Sequence, residues 1–306
     1  MLEMGFEDDL RAVMQRAPAK RQTLLFSATY PDAIAQISAG YQQKPERVSV
    51  DTEVDASQLK QLFYEVGPSS EARAQAVLAL LAQHAPSSTL VFCNTKDECN
   101  TLARALRRGG VRTLALHGDL EQRERDEVLV VFANHSCSVL CATDVAARGL
   151  DIVDLDCVIN FELSPDAAVH LHRVGRTGRA GKQGLALSLY RAADSGRVAR
   201  IEEAQGRPVK RSKLPALSAG DPTHVQPPMV TLLIEGGRKD KLRVGDILGA
   251  LTGDGGVAGD QVGKIQVMEM RTYVAVKREA ASRALACLLD GRIKKRKFRV
   301  SKVAAG

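Results

Sequence analysis

Residues 88–109 read STLVFCNTKDECNTLARALRRG, a short apolar run followed by an amphipathic stretch, and this unit decides the fold class. The same alternation recurs between residues 57 and 206, with the apolar runs QLFYEV, TLALH, SVLCATD, CVINFEL and LALSLY. In the stretch QRERDEVLVVF the apolar side chains recur at helical spacing. Strands rich in valine, leucine, isoleucine and cysteine that alternate with helices are typical of a parallel sheet with helices on both faces. We therefore predict an α/β domain at residues 59–206.

The pattern changes after a connector at residues 207–228, which is rich in proline, serine and lysine. From there the sequence predicts a strand (229–234), a helix (244–251), two strands (264–269 and 272–277), a helix (279–289) and a last strand (297–301). This β-α-β-β-α-β order is that of the α+β sandwich of RNA-recognition motif (RRM) domains. We predict such a domain at residues 229–303.

Residues 1–50 supply too few elements for a domain. The sequence predicts a helix at 7–15, a strand at 22–26 and a helix at 31–40. Because a lone strand between two helices cannot bury both of its faces, we interpret this segment as the C-terminal remnant of another α/β domain. A polar linker at residues 51–58 follows it.

The excess of basic charge is confined to the last quarter of the chain. From residue 225 onward there are 16 lysines and arginines against 8 acidic residues, whereas the preceding residues carry 27 against 28. A basic block on a small domain suits a polyanion such as nucleic acid or a membrane surface. A solvated basic face is the alternative.

The cysteines and the N-terminus indicate the compartment. The six cysteines form no CxxC pair and no zinc-spaced cluster with histidine, so we expect free thiols and no metal site in this chain. The first residues lack the pattern of a signal peptide, and no apolar run approaches the roughly 20 residues of a membrane span. We expect a cytoplasmic protein that has no membrane partner.

The strongest chemical signal is HRVGRTGRAG at residues 172–181. Arg173, Arg176 and Arg179 recur at a spacing of three, which predicts several guanidinium groups on one side of a turn. Guanidinium groups match phosphate oxygens and stabilise charge on a transferred phosphoryl group. Glycines between them let the backbone approach a ligand closely. The motif predicts a phosphate site, and a solvated basic turn is the alternative.

A second motif, ATDVAARGLD, follows a predicted strand. Its Thr143 and Arg148 can bind phosphate, and its Asp151 can accept a hydrogen bond from a ribose hydroxyl. Read alone, Asp151 could instead cap a helix, and Asp144 could satisfy loop amides.

Two weaker motifs lie upstream. In HGDLEQRERDEVLVVF, Gln122 and Arg125 lie on the exposed side of the predicted helix, where they can hold a nucleic-acid backbone or form an ordinary charged face. In LLFSATYP, the hydroxyls of Ser27 and Thr29 leave an apolar strand and can link a nucleotide site to its neighbour, although such residues also begin helices.

Taken together and in this order, the motifs resemble the DEAD-box RNA helicase family over residues 1 to about 206. The matching strings are SAT at 27–29, VFCNTK at 91–96, HGDxxQxxRxxxLxxF at 117–132, ATDVAARGLD at 142–151 and HRxGRxGRxG at 172–181. The resemblance implies a second RecA-like motor domain that contributes to an ATP site. The resemblance implies ATP contacts for Asp151, Arg176 and Arg179, and catalysis for Arg176, Arg179 and His172. It implies interdomain coupling for Ser27 and Thr29 together with His172. The RNA-backbone contacts that it implies are Gln122, Arg125, Thr143 and Arg148.

The sequence also departs from that family. It contains no GxxxxGK[ST] and no DEAD, the motifs that hold the phosphates, Mg²⁺ and water in the family's first motor domain. We therefore expect ATP and Mg²⁺ to be bound mainly by a first motor domain, and this chain alone not to hydrolyse ATP.

The tail resembles the RNA-binding domain of the DbpA subgroup of these helicases, in the strings MVTLLIEGGRKDKLRVGDILGALTG, TYVAV and RKFRVSKV. The resemblance implies binding to a hairpin of large-subunit ribosomal RNA and a role in ribosome assembly. Tyr273 can stack on a base or simply be half-buried, and Arg271 stands where an RRM usually has another aromatic. Because stacking should be weak, we expect the affinity to come largely from a basic run that includes Lys294, Lys295, Arg296 and Lys297.

Two other functions remain open at this stage. One is a non-catalytic RNA-binding or annealing protein whose motor lobe is a passive scaffold. The other is a DNA helicase of the same superfamily, although the RRM-like tail favours RNA. The residues indicate no obligate protein partner.

Overall fold

The computed structural model describes residues 7–26, 32–48, 59–147, 155–178, 183–216, 226–253 and 256–304. The chain divides into two compact units, Met1–Thr52 and Glu53–Gly306. Within the described ranges no helix is long and apolar enough to cross a membrane.

The first unit contains two helices, α1 (Glu7–Arg16) and α2 (Asp32–Tyr41). The strand predicted at residues 22–26 is wrong, since residues 21–26 have no regular structure. A strand needs a hydrogen-bonded neighbour, and the described part of this unit offers none. The carbonyl of Thr23 accepts instead from the Gln42 side chain, at 3.0 Å, while Phe26 is 89% exposed.

The second unit begins with a seven-stranded parallel sheet in the order β3-β4-β2-β5-β6-β1-β7. Its strands are β1 (Leu59–Glu65), β2 (Thr89–Cys93), β3 (Thr113–Leu116), β4 (Val139–Thr143), β5 (Cys157–Asn160), β6 (Gly184–Tyr190) and β7 (Arg211–Ser212). The helices between them are α3 (Ser70–His84), α4 (Lys96–Arg108), α5 (Gln122–Ala133), α6 (Asp144–Ala147), α7 (Ala167–Val174) and α8 (Ser195–Gln205).

Helices cover both faces of this sheet. In β4, Cys141 packs into one buried cluster with Leu102 of α4, and the next residue back, Leu140, packs into the other with Val131 of α5. Alternate residues of a strand point to opposite faces, so continuous apolar runs are what a doubly covered sheet requires. Each fully buried leucine contributes about 1.5–3 kcal/mol to folding.

Polar residues just after the strands start several helices. Thr95, which follows β2, caps α4 by accepting from the Glu98 amide at 3.2 Å. Asp166 caps α7 by accepting from the Ala168 amide at 2.8 Å. These caps satisfy amides that the first helical turn leaves without partners and so fix where each strand-to-helix loop ends.

A four-stranded antiparallel sheet follows, in the order β11-β8-β10-β9. Its elements are β8 (Met229–Ile234), α9 (Val244–Thr252), β9 (Val262–Val267), β10 (Thr272–Lys277), α10 (Ala281–Asp290) and β11 (Val300–Lys302). It has its own apolar core, in which Ile234, Ile247 and Val274 are fully buried. The predicted fold class, a RecA-like parallel sheet plus an α+β RRM-like domain, is confirmed.

The last strand begins later than the predicted residue 297. Ile293 and Arg296 exchange backbone hydrogen bonds of 2.9 and 3.0 Å, which close a tight turn. Lys294 and Lys295, at the centre of that turn, have positive φ angles of 53° and 66°. This turn takes up the residues before the predicted start, and β11 itself extends over Val300–Lys302.

Candidate functional site

The carboxyl ends of β2, β4 and β5 meet at one edge of the seven-stranded sheet, and a single buried side chain joins them. The Arg173 guanidinium donates to Asn94 Oδ1 (2.9 Å), to Asp144 Oδ1 and Oδ2 (2.7 and 2.6 Å) and to the Glu162 carbonyl (2.8 Å). The guanidinium carbon, Cζ, also lies 5.0 Å from the centre of the Phe92 ring. In parallel α/β sheets, ligands bind at this edge.

Of the arginines that were predicted to place several guanidinium groups on one side of the HRVGRTGRAG turn, Arg173 is buried and only 2% exposed. Helix α7 ends at Val174, so the spacing of three does not continue along one helical face. Arg173 lies on the inner side of the helix. Its described hydrogen bonds all go to groups within residues 59–212, the domain that the seven-stranded sheet forms and that is called the motor lobe below. Its role is to position the loops around it.

Arg176 lies just beyond the end of α7 and is half-exposed. Its amide donates to the Arg173 carbonyl, and its carbonyl accepts from the Leu155 amide, both at 3.2 Å. His172 is exposed in the last turn of α7. The other predicted nucleotide and coupling residues, Ser27, Thr29, Asp151 and Arg179, lie outside the described residues, as does the predicted RNA contact Arg148.

The turn that carries Arg176 packs tightly against β6. Gly178 has a φ of 70°, a conformation that glycine adopts without strain. A Cβ atom on Gly184 would lie 2.3 Å from the Gly178 amide nitrogen. The Thr177 hydroxyl donates to the Leu155 carbonyl, and Thr177 is fully buried. At these two positions, glycines allow contact between backbone segments as well as any approach to a ligand.

Two predicted RNA contacts lie near each other. Arg125 on α5 donates through Nη2 to the Ala146 carbonyl on α6, at 2.7 Å. This bond joins α5 to the segment that begins with Thr143, which is half-buried at the end of β4. Gln122 is exposed one turn before Arg125 and donates to Asp126 Oδ1 at 2.7 Å. The structure therefore brings the motifs ATDVAARGLD and HGDLEQRERDEVLVVF together at the carboxyl edge of the sheet.

A buried charged cluster behind this edge was not predicted. Arg73 of α3 binds Glu162, lies 3.4 Å from Glu98 through Nη2, and stacks over the Phe161 ring at 4.6 Å. Burial, and then the hydrogen bond with Glu162, raise the pKa of the Glu98 carboxyl. Arg73, Glu98 and Glu162 lie far apart in the sequence, so no local sequence pattern predicts that they form a cluster. Because the Glu162 carbonyl accepts from Arg173, the cluster supports the same loops.

His170, one turn before Arg173, was also missed. It is fully buried, its ring centre lies 5.7 Å from that of Phe63, and neither ring nitrogen has a hydrogen-bond partner among the described residues. Burial, and then the nearby Arg173 charge, lower the pKa of His170 to about 4. Its imidazole is therefore neutral at physiological pH.

The predicted basic run of the tail lies mostly in solvent. Lys294, Lys295, Arg296 and Lys297 are all exposed. Lys294 lies 3.6 Å from the carboxylate of Asp246, and Arg296 lies 3.0 Å from that of Asp240. Beside the run is a cleft of about 740 Å³. Basic and apolar side chains line the cleft together, from residues Arg238, Lys241, Leu242, Arg243, Val244, Ile265, Gln266, Val267 and Lys294.

Tyr273 and Arg271 occupy a different setting. Tyr273 is 2% exposed, and its hydroxyl donates to Glu127 Oε2 on helix α5 of the motor lobe, at 3.0 Å. Arg271 is half-buried, with its Nη1 atom 3.7 Å from the same oxygen. Burial, more than its charged neighbours, raises the pKa of the Tyr273 hydroxyl. In this arrangement the ring is not open to a base, and base stacking by Tyr273 stays a prediction.

The comparisons with known proteins agree with this two-domain architecture. Residues 72–181 match the model of the helicase conserved C-terminal domain, and residues 231–302 match that of the DbpA RNA-binding domain. Dbp5 of S. cerevisiae bound to RNA and ADP BeF3 is similar in structure, with a TM-score of 0.62 and 30% identity, over 69% of this chain and 56% of that chain.

The parallel sheet and the two matched models define the C-terminal helicase domain of a DEAD-box helicase, followed by a DbpA-type RNA-binding domain. The ATP-dependent RNA helicase DbpA of Escherichia coli is 47% identical over 98% of this chain and 65% of its own length. DbpA of Bacillus subtilis is 30% identical over 99% of this chain and 67% of its own length. The chain belongs to the DbpA family of DEAD-box RNA helicases, and it spans about two thirds of these relatives.

Proposed function

We propose that this chain supplies the second motor lobe and the RNA-binding tail of an ATP-dependent RNA helicase. The observation that carries the proposal is the Arg173 network at the carboxyl edge. Through Asp144 it holds the segment that begins with Thr143, and through the end of α7 it holds the segment of Arg176. One buried side chain thus links a predicted RNA contact to a predicted nucleotide contact, as a motor that changes its grip with its nucleotide state requires.

ATP is the nucleotide that we propose, contacted by Arg176 together with Arg179 and Asp151. Of the three, Arg176 is described: it lies just beyond the end of α7, and a guanidinium group suits the negative charge of a terminal phosphate. When bound, ATP supplies the phosphoryl group whose transfer drives the cycle. Mg²⁺ would be held mainly by a first motor domain, and the described residues include no group of three or more side chains suited to a metal ion.

A turnover assay of the purified 306-residue chain, with and without RNA, tests the motor role. We expect no RNA-stimulated hydrolysis, because the sequence contains neither a GxxxxGK[ST] nor a DEAD motif. Adding a separately purified first motor domain of a DbpA relative should restore hydrolysis, and Arg176→Ala should prevent the restoration. Hydrolysis by the chain alone would refute the proposal, and RNA annealing that needs no ATP would support the non-catalytic alternative.

For the tail we propose a structured RNA ligand, in particular a hairpin of large-subunit ribosomal RNA during ribosome assembly. Support comes from the match to the DbpA RNA-binding domain and from the charge of the tail, 16 basic against 8 acidic residues from residue 225 onward. The cytoplasm is the compartment we propose, since Cys93, Cys99, Cys137, Cys141 and Cys157 are buried free thiols. Equal affinity for the ribosomal hairpin and an unrelated hairpin of the same length would refute the proposed target.

A further inference from the structure

The exposed face of an RRM sheet is where such domains usually stack bases, and here part of that face is covered by the motor lobe. Tyr273, in the central strand β10, is 2% exposed, and its hydroxyl donates to a carboxylate of helix α5. The Tyr273 hydroxyl lies 3.0 Å from Glu127 Oε2, and Arg271 Nη1 lies 3.7 Å from the same atom. The Glu127 carboxylate of the motor lobe therefore interacts with two donor groups of the tail, the Tyr273 hydroxyl and the Arg271 guanidinium.

A second polar contact lies beside the first. Thr231, in the neighbouring strand β8, accepts from Asn134 Nδ2 at 3.1 Å and donates to Ser136 Oγ at 2.8 Å. The Met229 amide donates to the His135 carbonyl at 3.3 Å. Asn134 Oδ1 is buried with no hydrogen-bond partner among the described residues, which is unfavourable for an amide oxygen. These polar contacts accompany the packing of Val303 against the apolar cluster that contains Val131. Interfaces between domains of one chain are typically of this mixed kind, and relative motion of the domains is expected there.

The donors held by Glu127 are the kind that bind RNA. A tyrosine hydroxyl and an arginine guanidinium both donate to phosphate oxygens, and the ring and the guanidinium plane both stack on bases. A carboxylate presents negatively charged oxygens to them much as a phosphate does. Glu127 also lies on α5 two residues beyond Arg125, so the contact falls on the helix that we propose to hold RNA.

We propose that Glu127 is a latch that closes the tail's sheet face over α5, and that single-stranded RNA competes with its carboxylate for Tyr273 and Arg271. The exposed basic run and the cleft beside it stay accessible while the latch is closed. A hairpin can thus dock on the tail first, and a single strand reaches the sheet face only when the latch opens. This inference rests on the proposed RNA binding of the chain.

Two measurements on the 306-residue chain test the latch. The first needs no RNA: dyes are attached through Arg104→Cys on the lobe and Arg283→Cys on the tail, both exposed positions, and the transfer of energy between them is measured. We expect Glu127→Gln to lower this transfer. The control is Glu203→Gln, which removes an equal charge from an exposed position on α8 and should leave the transfer unchanged.

The second measurement is the affinity for an unstructured RNA oligonucleotide, followed by fluorescence anisotropy. We expect Glu127→Gln to raise this affinity about tenfold, Glu203→Gln to raise it much less, and Tyr273→Ala in the Glu127→Gln background to remove the gain. Unchanged energy transfer in Glu127→Gln, with the fold retained by circular dichroism, overturns the latch. If the higher RNA affinity of Glu127→Gln persists after Tyr273→Ala is added, RNA does not compete with Glu127 for Tyr273. If the unmutated chain does not bind a hairpin RNA at all, the proposed function is overturned instead.

Discussion

Arg173 and Asp144 form a two-fold hydrogen-bonded ion pair inside the motor lobe, with Nε–Oδ1 and Nη2–Oδ2 distances of 2.7 and 2.6 Å. The arginine side chain is 1% exposed and the aspartate side chain 26%. A bidentate arginine–carboxylate pair of this kind fixes the relative orientation of the two side chains and also stabilises both charges. The pair therefore sets the position of α7 relative to the end of β4, on which the proposed nucleotide and RNA contacts both depend.

Removing the carboxylate of this pair should destabilise the lobe strongly. Asp144→Ala leaves the Arg173 guanidinium buried without its counter-charge, and we expect a loss of about 3–5 kcal/mol in the free energy of unfolding. Urea denaturation followed by circular dichroism measures it. The control Asp119→Ala breaks the exposed pair with Lys96 and should leave the urea midpoint unchanged. Equal midpoints for both variants would show that the buried pair has no special structural role.

Acid should destabilise the lobe through His170. The folded pKa is about 4, below the unfolded value of 6.5, so the unfolded chain takes up the proton first. The contribution of neutral His170 is therefore complete above pH ~6.5 and lost as the pH falls toward 4, by about 3 kcal/mol. We expect the free energy of unfolding of His170→Leu, measured by urea denaturation, to lose this part of its pH dependence. The difference between the two proteins at pH 7.5, where His170 is neutral, measures the change in packing alone. A variant that keeps the wild-type slope between pH 6.5 and 4 contradicts the assignment.

Much of the architecture is predictable because burial leaves a local trace in the sequence. The strands at Met229–Ile234 and Thr272–Lys277 have the predicted bounds, since each is an apolar run flanked by polar or turn residues. Strand β7, Arg211–Ser212, was missed because two polar residues carry no such pattern. It exists through backbone pairing with Phe63 and Tyr64 of β1, which only the folded sheet reveals.

The site was predictable in its motifs and not in its long-range partners. The spacing in HRVGRTGRAG indicates a phosphate site but cannot show that α7 ends at Val174 and turns Arg173 inward. Likewise, Tyr273 is 146 residues from Glu127 in the chain, and a strand tyrosine has the same local pattern whether it faces RNA or a helix. Tertiary contacts decide these roles, and no local periodicity encodes them.

Contact between the arginine-bearing turn and β6 should tolerate no side chain at residue 184. A Cβ there would lie 2.3 Å from the Gly178 nitrogen and 2.8 Å from Thr177 Oγ1, so Gly184→Ala must push two backbone segments apart. We expect thermal and urea unfolding to show a loss of about 1–3 kcal/mol. The matched substitution Gly196→Ala in α8 has no atom within 4 Å and should be neutral or stabilising by up to about 1 kcal/mol. Similar behaviour of the two variants would mean that the close approach relaxes without strain.

The basic run should bind RNA mainly through phosphate charge. Lys295 and Lys297 are exposed, and each phosphate contact that a lysine makes releases about one counterion. We expect Lys295→Ala and Lys297→Ala each to reduce the slope of log affinity against log salt by about 1, measured by anisotropy with a hairpin RNA between about 50 and about 200 mM salt. Lys60→Ala removes the same charge from an exposed position on β1 of the motor lobe and should leave the slope unchanged. If both tail variants keep the full slope, phosphate binding does not depend on these two lysines, and other groups of the tail supply the affinity.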